Sequence, residues 1–227
     1  MKNPSIKFTI LIILLSSFFS CNTQSKVKQI SKKINFTNYE GIELVGSPTV
    51  NLIDSDSDYI DISADERIID YVNVINEGGV LKIFVDEGVY EEKCSSKGFL
   101  SNNNYCDIII NIPLSENLNM ISLKGNGDII LKTELITASD INFFLKGNGD
   151  IESKKLVKAN NLSIELEGNG DINLFNLDTK IINAKLTGNG DIVLQGKCID
   201  FISYVDEMGD IDVQNLSFET KKDAQKN

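Results

Sequence analysis

Five aspartates, Asp128, Asp150, Asp171, Asp191 and Asp210, recur in one Gly-rich phrase: LKGNGDI at 123–129 and again at 145–151, LEGNGDI at 166–172, LTGNGDI at 186–192 and the altered VDEMGDI at 205–211. A carboxylate column of this kind could do two kinds of chemistry. Its oxygens could coordinate Ca2+ between copies, because calcium is held by several carboxylate and carbonyl oxygens. Alternatively, each Asp could accept backbone N–H bonds at a bend, as Asx side chains do beside Gly-rich corners. One of these must offset a real cost, since like charges about 4.8 Å apart repel by about 1 kcal/mol in water and by roughly 3 kcal/mol at an effective dielectric near 20. The calcium β-roll repeat G-G-x-G-x-D-x-U-x has a period of about nine residues, whereas here Asp directly follows the second Gly and the period is about twenty. Turn-building is therefore the expected role, with calcium as the alternative.

Other catalytic equipment is sparse. The chain has no His and no Trp, and its one Arg is Arg67. No imidazole can act as a general base or orient a Ser or Cys nucleophile, and bidentate guanidinium clamps are nearly absent. Acidic residues outnumber basic ones 33 to 22, for a net charge of -11, which disfavours nucleic acid as a partner. The run DSDSD at 54–58 is not an EF-hand loop, because Tyr59 stands where that loop needs Gly; it reads as a solvated hairpin turn.

The elements that must position the Asp column follow from its spacing. The intervals are 22, 21, 20 and 19 residues, with period-2 alternation and no helical period. That is the mark of a solenoid. The sequence predicts an all-β protein: a parallel β-helix of about five rungs of ~20 residues over 116–218, preceded by a β-rich portion over 36–115. A leucine-rich repeat has a similar length, but its helical half is missing. Alternate residues place Ile121, Leu123, Gly125, Gly127, Ile129 and Leu131 on one face. Later copies repeat this with Phe143, Leu145 and Ile151, with Ile164, Leu166 and Ile172, and with Ala184, Leu186 and Ile192. In the last copy Val205, Ile211 and Val213 keep the apolar positions, while Glu207 replaces the first Gly as a terminal rung would require. A second apolar column follows each Asp: Leu135, Leu156, Leu177, Cys198 and Leu216. Cys198 in that column reads as a reduced, buried thiol. Asn126, Asn148, Asn169 and Asn189 face outward and should form an amide ladder.

Upstream, short Val- and Ile-rich runs at 42–46, 49–53, 59–63, 70–75, 80–85 and 107–112 are bounded by turn residues. The clearest hairpin is DYVNVINEGGVLKIFV, turning at Gly78-Gly79. ADERIID at 64–70 has room for a single helical turn.

The start of the chain reads as a leader. Lys2 and Lys7 precede an apolar run from Phe8 to Phe19 that is too short to span a bilayer. Residues 1–20 are expected to be a signal peptide, and Ser20-Cys21 resembles a bacterial lipobox, which implies lipidation of Cys21. Phe18 departs from that pattern, which prefers Leu there; an incidental Cys after a plain signal peptide is the other reading. Residues 21–35 read as a basic, flexible tether without core residues, and 219–227 as a disordered tail. Export permits a disulfide between Cys94 and Cys106, which would staple the polar loop between them.

The leader, the β-rich half with its Gly-Gly hairpin and the L-x-G-x-G-D-I units together resemble the putative auto-transporter adhesin head GIN domain family, over roughly residues 36–216. The resemblance implies a β-helix with an added β-rich portion and a place in the cell envelope. It transfers no catalytic or binding residue. The expected function is that of a non-enzymatic envelope lipoprotein, held to the membrane through Cys21 and presenting a solenoid surface to a protein or glycan. The alternative is a carbohydrate-binding or carbohydrate-active β-helix, calcium-dependent if the Asp column holds that ion. No other cofactor is expected, and the uniform recurrence of Asp argues against catalysis, because an active site breaks a repeat.

Overall fold

The structure, a computed structural model, describes residues 28–94, 106–206 and 208–223. The leader, Cys21 and Glu207 lie outside the described residues.

Each repeat is one turn around three walls. In the first, β8 (Met120–Gly125) forms wall A, β9 (Asp128–Leu131) wall B, and β10 (Leu135–Ile136) wall C. The next turn follows with β11 (Ile141–Gly147), β12 (Ile151–Ser153) and the first part of β13 (Val157–Gly168), whose second part returns to wall A. β14 (Ile172–Gly188) runs continuously round walls B, C and A, before β15 (Ile192–Lys197), β16 (Asp200–Asp206), β17 (Ile211–Ser217) and β18 (Thr220–Asp223). Successive turns pair in parallel, for example Leu123↔Leu145↔Leu166↔Leu186 on wall A and Ile129↔Ile151↔Ile172↔Ile192 on wall B. All eight of these side chains are fully buried, so each turn closes its neighbour's core and is not a stable unit alone. At the far end the pattern weakens: Val205, expected to stay inside, is 41% exposed, because fewer turns lie beyond it to cover it.

The solenoid begins earlier than the repeat phrase. β2 (Gly41–Gly46) and β3 (Thr49–Ile53) lie in register beneath β8 and β9, pairing Leu44 with Leu123 and Val50 with Ile129. The boundary expected at 115/116 therefore does not break the stack. A further layer, β6 (Val80–Phe84) and β7 (Ile108–Pro113), pairs in parallel under β2 and β3. Antiparallel pairing enters there, with β4 (Tyr59–Asp65) against β7 and β5 (Asn73–Glu77) against β6. The predicted turn at Gly78-Gly79 is present, with φ values of 61° and 86° that favour glycine. The short turn expected at 64–70 appears as a 3-10 segment, Ile69–Tyr71.

Three elements differ from expectation. Residues 29–35, assigned to the tether, form β1 (Gln29–Asn35), antiparallel to the edge of β4. Ile30 and Ile34 pack against the core, and the Lys33 ammonium lies 3.9 Å from the centre of the Tyr59 ring. Residues 220–223, assigned to the tail, form β18 because β16 offers a free edge and Ser203 Oγ donates to Asp223 Oδ1 at 2.9 Å. An unexpected α-helix, α1 (Glu87–Cys94), is started by Asp86, whose Oδ1 accepts the Val89 N–H at 3.1 Å. Cys94, its last residue, is bonded to Cys106, which leads into β7.

Candidate functional site

The GNGD phrase is the corner between walls A and B. Its first glycines, Gly125, Gly147, Gly168 and Gly188, have φ between 134° and 142°, where a side chain would be strained. The second glycines serve a different need. A Cβ on Gly149 would lie 1.7 Å from the Gly127 carbonyl oxygen, and one on Gly170 or Gly190 would lie 1.9 Å from the corresponding oxygen below. Bare backbone is what lets the corners stack.

The outward columns are built on this contact. Asn148, Asn169 and Asn189 each donate an amide N–H to the Asn Oδ1 of the turn below, at 2.8, 2.8 and 3.0 Å. The Asp column is answered by backbone: Asp128 Oδ1 accepts the N–H of Asp150, Asp150 that of Asp171, Asp171 that of Asp191, and Asp191 that of Asp210, at 2.8 to 3.1 Å. The acceptor serves the neighbouring turn and not its own bend, so each carboxylate joins two rungs. Below Asp128 the corner reads Gly46-Ser47-Pro48-Thr49, and there the Pro48 carbonyl takes the Asp128 N–H at 3.1 Å. Among the described residues no cluster of three or more His, Cys, Asp or Glu is arranged to hold a metal ion.

Asp150 sits inside the column, and its pKa is raised above the ordinary carboxylate value. Desolvation is the largest cause; the Asp171 N–H works against it, and the charges of Asp171, Asp128 and Glu152 add to it. A raised folded-state pKa means that the native chain holds this proton more tightly than the unfolded chain, so stability falls as pH rises through that range. Asp150→Asn keeps an acceptor without the charge. It is expected to melt above the parent near pH 7, with the gain fading as the pH is lowered below the carboxylate range. A gain independent of pH would refute this.

Arg67, the chain's one guanidinium, is committed to structure. Its Nε donates to both oxygens of the buried Asp65 at 2.9 and 3.0 Å, and the bond holds that carboxyl below its usual range.

Away from the residues that the repeat phrase singles out, an open groove of about 680 Å3 lies at the corner between walls C and A. It runs along the stack, with Lys158, Asp178 and Lys197 paired in register on successive turns. Both ammonium groups lie 3.5 Å from Asp178 Oδ2. Thr179 also lines the groove, and its buried Oγ1 has no hydrogen-bond partner. The signal was present but misaligned: counted from the preceding Asp these residues drift, yet each stands thirteen places before the following Asp. The apolar column shifts likewise. Val157 and Gly196 occupy the register positions expected for Leu156 and Cys198, and the wall B to wall C corner differs in length between turns. Cys198 is nonetheless buried and reduced, and burial pushes its thiol up to about 11.

A three-walled solenoid, with ladders along one corner and a groove along another, defines a repeat-built scaffold. The chain belongs to the family described as "Putative auto-transporter adhesin, head GIN domain", which matches residues 38–222. No curated protein matches it. It is similar in fold to two crystal structures from Parabacteroides distasonis, one described as a putative lipid binding protein and one as a putative adhesin. Their identities are 22% and 21%; each has a TM-score of 0.70 and covers 87% of this chain and 78% of its own. A putative adhesin from Bacteroides fragilis aligns at 20% identity and a TM-score of 0.51, over 86% of this chain and 94% of its own.

Proposed function

We propose that this chain is a non-enzymatic cell-envelope lipoprotein that works by binding, with Cys21 as the membrane anchor and the solenoid as an adhesion or protein-interaction surface. The observation that carries this reading is the uniform use of the Asp column. Four carboxylates in succession are each engaged by the backbone N–H of the next turn, which builds length and leaves no turn chemically distinct. A reaction centre needs one place unlike the others. The family's description as an adhesin supports the same reading.

Two measurements test it. Cys21→Ser is expected to move the protein from the membrane to the soluble fraction and abolish labelling by radioactive palmitate; persistent attachment would refute the anchor. Beads coated with the detergent-purified chain are expected to adhere to host cells or to sister bacterial cells, and beads that stay dispersed with both would refute the adhesion role. The open groove favours a second reading, glycan binding or processing with or without calcium. Processing would be detected as new reducing ends or unsaturated products from polysaccharides, and calcium dependence as a melting temperature that differs between calcium and a chelator.

A further inference from the structure

The groove between walls C and A holds more cationic than anionic side chains. The whole chain carries a net charge of -11, yet the groove lining holds Lys158, Lys180 and Lys197 against only Asp178 and Glu219. Lys180 makes no ion pair among the described residues, and the bonds of the other two to Asp178 are loose at 3.5 Å. Apolar surface flanks these charges: Ile136 is 57% exposed and Ile199 is 44% exposed, and Phe218 lines the same trough.

The backbone narrows the class of occupant. The strands flanking the groove pair with the turns above and below, as in Lys158↔Asp178↔Lys197↔Ser217. A peptide therefore finds no free strand edge along the trough to extend as a sheet, and recognition falls to side chains. The concavity is open along its length, which leaves an acyl chain exposed to water. What the lining offers is ammonium groups for anions, hydroxyl, amide and carboxylate groups for hydroxyls, and flat apolar faces between them. Lys158 and Lys197 lie two turns apart, about 10 Å at the ordinary spacing of strands.

We infer that this groove binds a linear glycan bearing carboxylate groups, laid parallel to the solenoid axis, with its acidic groups on Lys158, Lys180 and Lys197 and its ring faces against Ile136, Ile199 and Phe218. The inference rests on the reading that the protein works by binding, and it supplies the site and the ligand class.

The test uses the full chain purified in detergent, with polygalacturonate as the probe and dextran as its neutral counterpart, measured by calorimetry at low and high salt. Polygalacturonate is expected to bind, to weaken as salt rises, and to bind at least tenfold more tightly than dextran. Replacing Lys158, Lys180 and Lys197 together by Ala is expected to weaken binding at least tenfold. The same change at Lys124, Lys146 and Lys185 on wall A should leave it unchanged, with circular dichroism melts checking the fold of both variants. No binding of polygalacturonate, equal binding of dextran, or equal losses in the two triple variants would each overturn the inference. Bead adhesion separates this outcome from the broader reading: parent beads that adhere, insensitive to the groove substitutions and to added polygalacturonate, would refute the groove assignment alone, whereas parent beads that do not adhere would refute the adhesion role.

Discussion

Gly149→Ala is expected to cost at least about 4 kcal/mol, enough to prevent folding of a domain of ordinary stability. The added Cβ would stand 1.7 Å from the Gly127 carbonyl oxygen, and the obstacle is backbone, so no rotamer change relieves it. Relief requires the two corners to separate. That would break the Asp150 N–H bond to Asp128 Oδ1 and the Ile129 N–H bond to the Asp150 carbonyl, at 3.1 and 2.9 Å. Gly78→Ala supplies the comparison. Gly78 has a φ of 61° but nothing within 4 Å of an added Cβ, so only backbone strain of about 1 kcal/mol is expected there. Urea unfolding of the two variants measures the difference, and similar losses would refute corner stacking as the role of the second glycine.

Leu166→Ala should be the next most damaging change, at about 3–5 kcal/mol. Leu166 is fully buried on wall A between Leu145 and Leu186, with complete turns on both sides, so the void has little means of collapsing. Val205→Ala, on the same wall near the far end and 41% exposed, should cost less than 1 kcal/mol. In a stack that couples each turn to its neighbours, the central loss should also lower cooperativity, visible as a smaller denaturant slope. Equal effects at the two positions would mean that the stack does not share its core in this way.

The repeat was legible because its apolar alternation and its glycines answer local needs that recur in every turn. What escaped notice depends on partners distant in sequence. Leu44-Val45-Gly46-Ser47-Pro48-Thr49-Val50 is the same corner as Leu123 to Ile129 with its Asn, second Gly and Asp replaced, and only pairing across more than seventy residues exposes it. β1 carries five polar residues of its seven and only two isoleucines, and becomes a strand through the free edge of β4 rather than through its own composition. The Asp column was correctly placed on the outside, yet its hydrogen-bond acceptors serve the next turn, a relation that no single copy contains. The groove was hidden by the drift in spacing, because its residues align on the Asp that follows them.

That drift has a bearing on how such a chain can change. From the register-matched residues Ile141, Leu162, Ile182 and Phe201 to the next Asp there are always nine residues, while the changes of length fall mainly on the corner between walls B and C. One side of the molecule is thus a fixed spine that keeps count, and the opposite side is free to lengthen or shorten without putting neighbouring turns out of step. From Lys158 onward the groove corner belongs to the counted side, because Lys158, Asp178 and Lys197 each stand thirteen places before the next Asp. A lineage could insert or trim residues at the corner between walls B and C without disturbing the groove, and alter what is bound only by exchanging the groove's side chains.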